Sequence, residues 1–309
     1  LKKLISINPF MLLSVVIPVY RGEKTIEKLV EKLQDELKKY DFEIILVNDG
    51  SPDNSEKVCL NLNEKYKNLQ FISLRKNFGE FNAVICGLNY VGGKYAVIID
   101  DDFQNPPSEI IKLLNTAQTG NYDVVYSYYA DKKHHFFRNL GSWVVNRVTT
   151  WLIHKPSDLY LSSFKLINKE VISEIIKYKG PYPYIDALIF RNTNNVGKVQ
   201  VEHNERMEGD SNYTIKKLVR LFIIIIFGYS TLPIRFIQGT GIFLIFLSLI
   251  LTFLYLIKLI PDWQIPMFIF FGGIQLSALG IIGEYVGKLF LTQNETPQFV
   301  EKYNSTHAK

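Results

Sequence analysis

Apolar positions change their rhythm along the chain. Up to residue 129, short continuous apolar runs alternate with stretches in which apolar residues recur every three or four positions. LLSVVIPVY (12–20), FEIILVNDGS (42–51), LQFISLRKN (69–77), KYAVIIDDD (94–102) and YDVVYSYY (122–129) read as strands, the first apolar on both faces like a buried parallel strand. Between them lie helical stretches. One carries Ile26, Leu29, Val30, Leu33 and Leu37 on a single stripe; the others are 52–66, opened by Pro52 and Asp53, then 78–91 and 107–117. This series predicts an α/β domain with a mostly parallel sheet covered by helices on both faces. Ligands in such sheets sit beyond the carboxyl ends of the strands, where Asp49, Asp100, Asp101 and Asp102 fall. No strand is followed by G-x-G-x-x-G or G-x-x-x-x-G-K-[ST], so dinucleotide and P-loop readings lack their key residues.

After residue 220 the pattern turns continuously apolar. Residues 236–257 run for 22 positions without a charge, about 33 Å of helix, and 264–283 for another 20. The linker KLIPDW predicts a tight transmembrane hairpin. Lys216, Lys217, Arg220 and Arg235 precede the first span and Lys288 follows the second, while the linker has Lys258 opposed by Asp262. The positive-inside rule then puts both termini in the cytoplasm of an inner-membrane, multi-pass protein. Residues 213–231 read as an amphipathic helix along the inner interface. The expected organisation is an extension at 1–11 with no apolar signal core, a catalytic domain at 12–212, that helix, two spans within 232–291, and a cytoplasmic tail at 292–309 whose KYNSTHAK end is polar and frayed.

Composition sharpens this picture in three places. Of 309 residues, 47% are hydrophobic and 14% aromatic, which excludes a disordered chain. The net charge of +5 is too mild to argue for nucleic acid and suits a membrane surface better. Cys59 and Cys86 sit in apolar helical contexts with no C-x-x-C spacing, as in a reducing compartment.

The candidate chemistry starts at DDDFQNPP. On an extended strand Asp100 and Asp102 point to one side and Asp101 to the other. Two carboxylates with the Gln104 amide make a hard oxygen site for Mg²⁺ or Mn²⁺ that takes further ligands from substrate phosphates. His134 and His135, adjacent on one loop, read as solvated. The stretch 100–110 resembles the D-x-D-L-Q-[DN]-P-P-E segment of family 2 glycosyltransferases of the dolichyl-phosphate mannose synthase type, whose bacterial members act on undecaprenyl phosphate. SVVIPVYRGEKTIEKL, VNDGSPDNS, RKNFGEFNAVICGL, SDLYLSSFKLINKEV, RMEGDSNYTIKKL and GEYVGK resemble further family segments in the family order, from about residue 12 to 290. Among the bacterial branches the aminoarabinose-transferring one is nearest, through QNPP and GEYVG.

The resemblance implies a GT-A fold and transfer of one sugar from a UDP- or GDP-sugar to a polyprenyl phosphate, giving a lipid-linked donor for cell-envelope glycans such as lipopolysaccharide. By it, Pro18, Tyr20 and Glu23 line the nucleotide pocket and Asp49 accepts from the base. Asp100 and Asp101 face ribose and sugar, and Asp102 and Gln104 hold the metal with Asp100 assisting. Arg206 grips the diphosphate, which its planar fork suits. Ser211 and Tyr213 share that loop, with Gly209 as hinge, and meet donor and acceptor phosphate; Arg138 meets the acceptor phosphate near the membrane. Asp158 either orients acceptor or sugar or caps local structure. Three positions depart from the family pattern: Arg21 stands for the usual Asn, Asn212 for a frequent Lys, and Asn48 for a second acidic residue. Gly272, Gly273, Gly280, Gly283 and Gly287 offer small residues for a homo-oligomer. A processive polysaccharide synthase would carry Q-x-x-R-W, which is absent. A non-catalytic anchor would not need the intact DDDFQNPP and RMEGDS. The sequon NST at 304–306 is irrelevant at a cytoplasmic terminus.

Overall fold

The computed structural model describes residues 11–129, 150, 153, 155–180, 182–204, 264–293 and 297–306, with side chains for part of 264–293. The strands are β1 (Leu13–Val19), β2 (Phe42–Asn48), β3 (Leu69–Leu74), β4 (Tyr95–Ile98), β5 (Val124–Tyr128), β6 (Lys165–Asn168), β7 (Val196–Gln200) and β8 (Glu301–Asn304). The helices are α1 (Ile26–Glu36), α2 (Ser55–Lys65), α3 (Glu80–Leu88), α4 (Glu109–Gly120), α5 (Lys169–Ile175), α6 (Ile185–Asn192) and α7 (Gln264–Gln293). The chain divides into two compact units, Leu1–Tyr213 with Pro297–Lys309, and Thr214–Thr296.

In the first unit the strands form one sheet, ordered β7-β5-β6-β4-β1-β2-β3-β8 among the described residues. Its centre is parallel, with Leu13 opposite Phe42 on one side and Tyr95 on the other. Val15, Val16, Ile17 and Val19 have no exposed surface, because helices cover both faces. Each such side chain contributes about 1.5–3 kcal/mol by leaving water. The predicted stripe of α1 is the buried one, through Ile26, Leu29, Val30 and Leu33. Burial drives the Cys59 and Cys86 thiols far above their ordinary pKa, so neither is a reactive thiolate.

Four expectations change. First, β4 stops at Ile98, so the three aspartates lie on a turn and not on an extended strand. Phe103 has φ +60°, which no strand continues through. Second, the four-residue β6 enters antiparallel between β4 and β5, pairing Ile98 with Lys165 and Val125 with Leu166. It is too short to show a period in sequence. Third, residues 302–306 of the KYNSTHAK end are structured, while 307–309 lie outside the described residues. β8 pairs antiparallel with β3, Ser305 N–H donates to Phe71 O (2.9 Å), and Phe71 N–H donates to Ser305 Oγ (2.9 Å). Asn304 of the sequon is 7% exposed, with its amide donating to Glu301 Oε2 (2.9 Å), so the segment belongs to the catalytic unit. Fourth, α7 covers 264–283 but continues to Gln293.

The second unit is described through α7, a 30-residue helix about 45 Å long. Leu279, Ile282, Val286, Leu289 and Phe290 stand exposed along it at three- and four-residue spacing. Among the described residues no helix is long and apolar enough to cross a membrane. The first predicted span, 236–257, and the interfacial helix, 213–231, lie outside the described residues.

Candidate active site

β1 to β5 and β7 all point their carboxyl ends to one edge of the sheet, and β6 starts there. The loops at that edge carry the motif residues and are stitched to one another. Asp49, directly after β2, accepts from the backbone N–H of Phe78 (2.7 Å) and Gly79 (2.9 Å), and is 2% exposed. Burial raises its carboxyl pKa, and those two amides oppose the rise. Gly50 follows at φ +58°, where a Cβ would lie 2.3 Å from the Lys76 carbonyl carbon, so the turn needs glycine. Asn48 is spent on the sheet: its amide donates to Ser73 Oγ (3.1 Å) and its oxygen accepts from Ser51 N–H (3.2 Å).

The loop after β1 is fastened to the loop after β2. Arg21 N–H donates to Ser51 Oγ (3.2 Å), and Gly22 N–H to Ser55 Oγ (2.9 Å). Arg21 sits at φ +60°, in the left-handed region that Asn adopts most easily among side-chain-bearing residues. The chain keeps that turn with an arginine, whose guanidinium lies over the Tyr20 ring at 5.5 Å. Tyr20 is 40% exposed at the strand end. Pro18 is half-buried within β1, opposite Val47. Glu23 Oε2 accepts from the Asn54 backbone (2.9 Å) and side chain (3.2 Å), so it also ties the two loops.

The acidic turn meets this edge from β4. Asp101 packs against Gly22 so closely that a Cβ there would lie 2.2 Å from Asp101 Oδ2. Asp100 Oδ2 accepts from Ser163 Oγ (2.6 Å), on the approach to β6. Asp102 Oδ1 accepts from Gln104 N–H (3.1 Å), closing the turn on itself. Asp100, Asp101, Asp102 and Gln104 are each half-buried, so the turn is open to a ligand. Among the described residues no group of three or more His, Cys, Asp or Glu could hold a metal. What the turn offers is two carboxylates and one amide oxygen, the hard and incomplete donor set that Mg²⁺ or Mn²⁺ shares with substrate phosphates.

The other half of the edge holds residues that the motifs do not flag. Ser127 Oγ donates to Phe164 O (2.7 Å) and bonds Ser162 Oγ (2.8 Å). Tyr129 Oη donates to Asn105 Oδ1 (2.8 Å), and its ring lies 4.0 Å from that of His203. Behind them Lys165 and Asp186 form a buried ion pair, and Tyr126 Oη donates to Asp186 Oδ1 (2.7 Å). Paired and hydrogen-bonded in this way, the buried charges avoid the cost of standing alone. Asp158 forms an ion pair with Lys198 in mid-β7, which keeps its carboxyl pKa below the usual range. Lys155 holds the same turn through the Pro156 and Leu159 carbonyls, and burial lowers its pKa to about 8. Arg138, Arg206, Ser211 and Tyr213, with His134 and His135, lie outside the described residues. The repeated hydroxyls of Ser162 and Ser163 were the available hint to this half. Nothing local marks His203, which joins the site through β7.

The domain matches solved glycosyltransferases. Glucosyl-3-phosphoglycerate synthase from Mycobacterium tuberculosis, in complex with Mn²⁺, UDP-glucose and phosphoglyceric acid, aligns with a TM-score of 0.54 at 18% identity over 70% of this chain and 78% of that one. The same enzyme with Mg²⁺ and UDP gives 0.54 at 18% identity, over 71% and 79%. This likeness shows the GT-A-like fold. In sequence, the undecaprenyl-phosphate 4-deoxy-4-formamido-L-arabinose transferase of Photorhabdus laumondii is 29% identical over 304 residues, 94% of this chain and 93% of that one. Its namesake from Serratia proteamaculans is 29% identical over 310 residues, 96% and 95%. The family model described as glycosyl transferase family 2 matches residues 14–175, which spans β1 to α5 and with them the whole acidic turn. The loop stitching, the open carboxylate turn and this match agree, and the chain belongs to glycosyl transferase family 2.

Proposed function

We propose that the protein transfers one sugar from a nucleotide sugar to a polyprenyl phosphate at the cytoplasmic face of the inner membrane, with inversion at the anomeric carbon. The curated relatives, similar over more than nine-tenths of both chains, are named for a transfer involving undecaprenyl phosphate, which supports this acceptor. One topological observation carries the placement. Asn204, following β7, and the segment 297–300, entering antiparallel β8, both lie at the carboxyl-end edge that bears the acidic turn. The intervening 205–296 is thus bracketed by described residues at one edge of the sheet, which supports an even number of bilayer crossings, as in a hairpin with both termini on one side. The exposed apolar stripe of α7 is surface that lipid would cover. Among the described residues, a Cβ at Gly280, Gly283 or Gly287 would meet nothing within 4 Å, which supports room for a second copy in a homo-oligomer.

In the mechanism, an acceptor phosphate oxygen forms a bond to the anomeric carbon as that carbon's bond to the diphosphate oxygen breaks. The electron pair leaves with the nucleoside diphosphate. The acceptor is already anionic at neutral pH, so no strong general base is needed. Asp100, Asp102 and Gln104 would hold Mg²⁺ or Mn²⁺, which supplies charge stabilisation for the leaving diphosphate. Asp101, set against Gly22, fixes the sugar side, and Asp49 with the loops after β1 and β2 shapes the nucleotide end. Arg206 adds a diphosphate contact, and Arg138, Ser211 and Tyr213 meet the acceptor. Asp158 acts on the acceptor-side turn that it shares with Lys155.

A panel of UDP- and GDP-sugars, incubated with the detergent-solubilised protein and undecaprenyl phosphate, tests this reading. Mass spectrometry and NMR are expected to show one lipid-linked sugar of inverted anomeric configuration. A chain of several sugars, a retained anomer or equal transfer to a water-soluble acceptor would overturn it. A reporter fused after Lys309 that proves periplasmic would overturn the topology.

A further inference from the structure

We infer that His203 is a positioning residue for the donor-side turn, acting through the Tyr129 ring and the Gln104 backbone. The inference rests on the reading that residues 100–104 receive the nucleotide diphosphate with its ion. That turn is not self-sufficient. Phe103 lies at φ +60°, a conformation that costs a bulky L-residue about 1–2 kcal/mol and persists where surrounding contacts hold it. The contacts come from the far half of the sheet. β5 and β7 run parallel with Tyr128 opposite Gln200, and Val201 N–H donates to Tyr128 O (3.0 Å). The two chains thus leave the sheet side by side, and Tyr129 meets His203 with ring centroids 4.0 Å apart and planes tilted by 32°.

Tyr129 then reaches the turn at Asn105 Oδ1 (2.8 Å), and Asn204 N–H reaches it at Gln104 O (2.9 Å). The Gln104 backbone and the Asp102 carboxylate also lie within the electrostatic reach of the imidazole. His203 therefore stands between two holds on one strained turn, as ring partner of one and sequence neighbour of the other. Asn204 leads directly into the stretch that carries Arg206. The same short segment sets the carboxylate turn and starts the loop proposed to grip the diphosphate.

The test is calorimetric titration of the full chain in detergent with UDP plus Mn²⁺ and with GDP plus Mn²⁺, beside melting curves. His203→Ala is expected to weaken binding of the preferred nucleotide about tenfold, the scale of one ring stack and one polar contact. The KM for the sugar donor should rise with it while the acceptor KM stays unchanged. His203→Phe, which keeps the ring, is expected to recover binding to within about threefold of the native chain. Should His203→Ala fail to fold, Tyr129→Phe serves in its place, keeping the stack, losing the Asn105 hydrogen bond and weakening binding about threefold. Unchanged binding in the variant used overturns the inference. So does a His203→Phe chain that is stably folded yet binds as weakly as His203→Ala, since His203 would then contact the ion or nucleotide directly. A native chain that binds neither nucleotide with Mn²⁺ overturns the donor-site reading and the inference with it; a native chain that binds, with a variant equal to it, removes the inference alone.

Discussion

In the loops after β1 and β2, several polar side chains are held by backbone amides, whereas around β5, β6 and β7 several are held by one another. Asp49 takes the amides of Phe78 and Gly79, and Ser51 and Ser55 take those of Arg21 and Gly22. On the other side Lys165 meets Asp186, Ser127 meets Ser162, and Tyr129 meets both Asn105 and His203. The acidic turn sits where the two systems join, with Asp101 against Gly22 and Asp100 on Ser163. Backbone amides of parallel strand ends are present whatever the neighbouring side chains are, so the first half is preorganised by topology. The second half depends on each partner's identity.

The largest expected effect is at the junction. Asp102→Asn removes a charge from the donor set proposed for Mg²⁺ or Mn²⁺, and activity should fall about 1,000-fold or more. Excess EDTA should do the same to the native chain; full activity in EDTA would break the metal assignment. Next comes Gly22→Ala, whose new Cβ must displace Asp101 Oδ2, the far end of a mobile side chain. Donor kcat/KM is expected to drop about tenfold while the melting temperature falls by only about 2–4 °C. A stability loss without a donor effect would assign Gly22 to the fold alone.

Ser163→Ala removes the hydroxyl that donates to Asp100 Oδ2 without touching the ladder of β6. The expected loss is about three- to tenfold in donor kcat/KM, the scale of one hydrogen bond to a charged group. An unchanged value would mean that the second half does not set the turn. The smallest effect concerns Lys155. Its pKa falls from 10.5 to about 8 on folding, so the unfolded chain binds more protons between those values. The stability it withholds at neutral pH is regained as pH rises from about 8 to 10.5. Lys155→Met should therefore remove an upward component from the melting temperature between pH 8 and 10, measured against the native chain.

Short-range pattern was enough for the first half. The β-α-β rhythm, the stripe of α1 and the acidic residues beyond a strand were legible because each depends on a period of two or 3.6 and on local turn chemistry. Asp49, Asp100, Asp101, Asp102 and Gln104 were placed at one edge on that basis, and the structure brings them there. Other features depended on distant segments. β6 has four residues and no readable period, and β8 is a strand only because β3 offers its open edge more than 220 positions earlier. The end of β4 at Ile98 follows from Phe103 and the antiparallel entry of β6, which turn the aspartates out of the strand. The role of His203 rests on a ring 74 positions away. Sequence alone determined where the acidic residues fall along the chain and which of the first strands run parallel, since both are written in neighbouring positions. Tertiary structure decided how the carboxylates are aimed, which side chains hold them and where the chain's end returns, because pairing and burial between remote segments leave no periodic mark in either one.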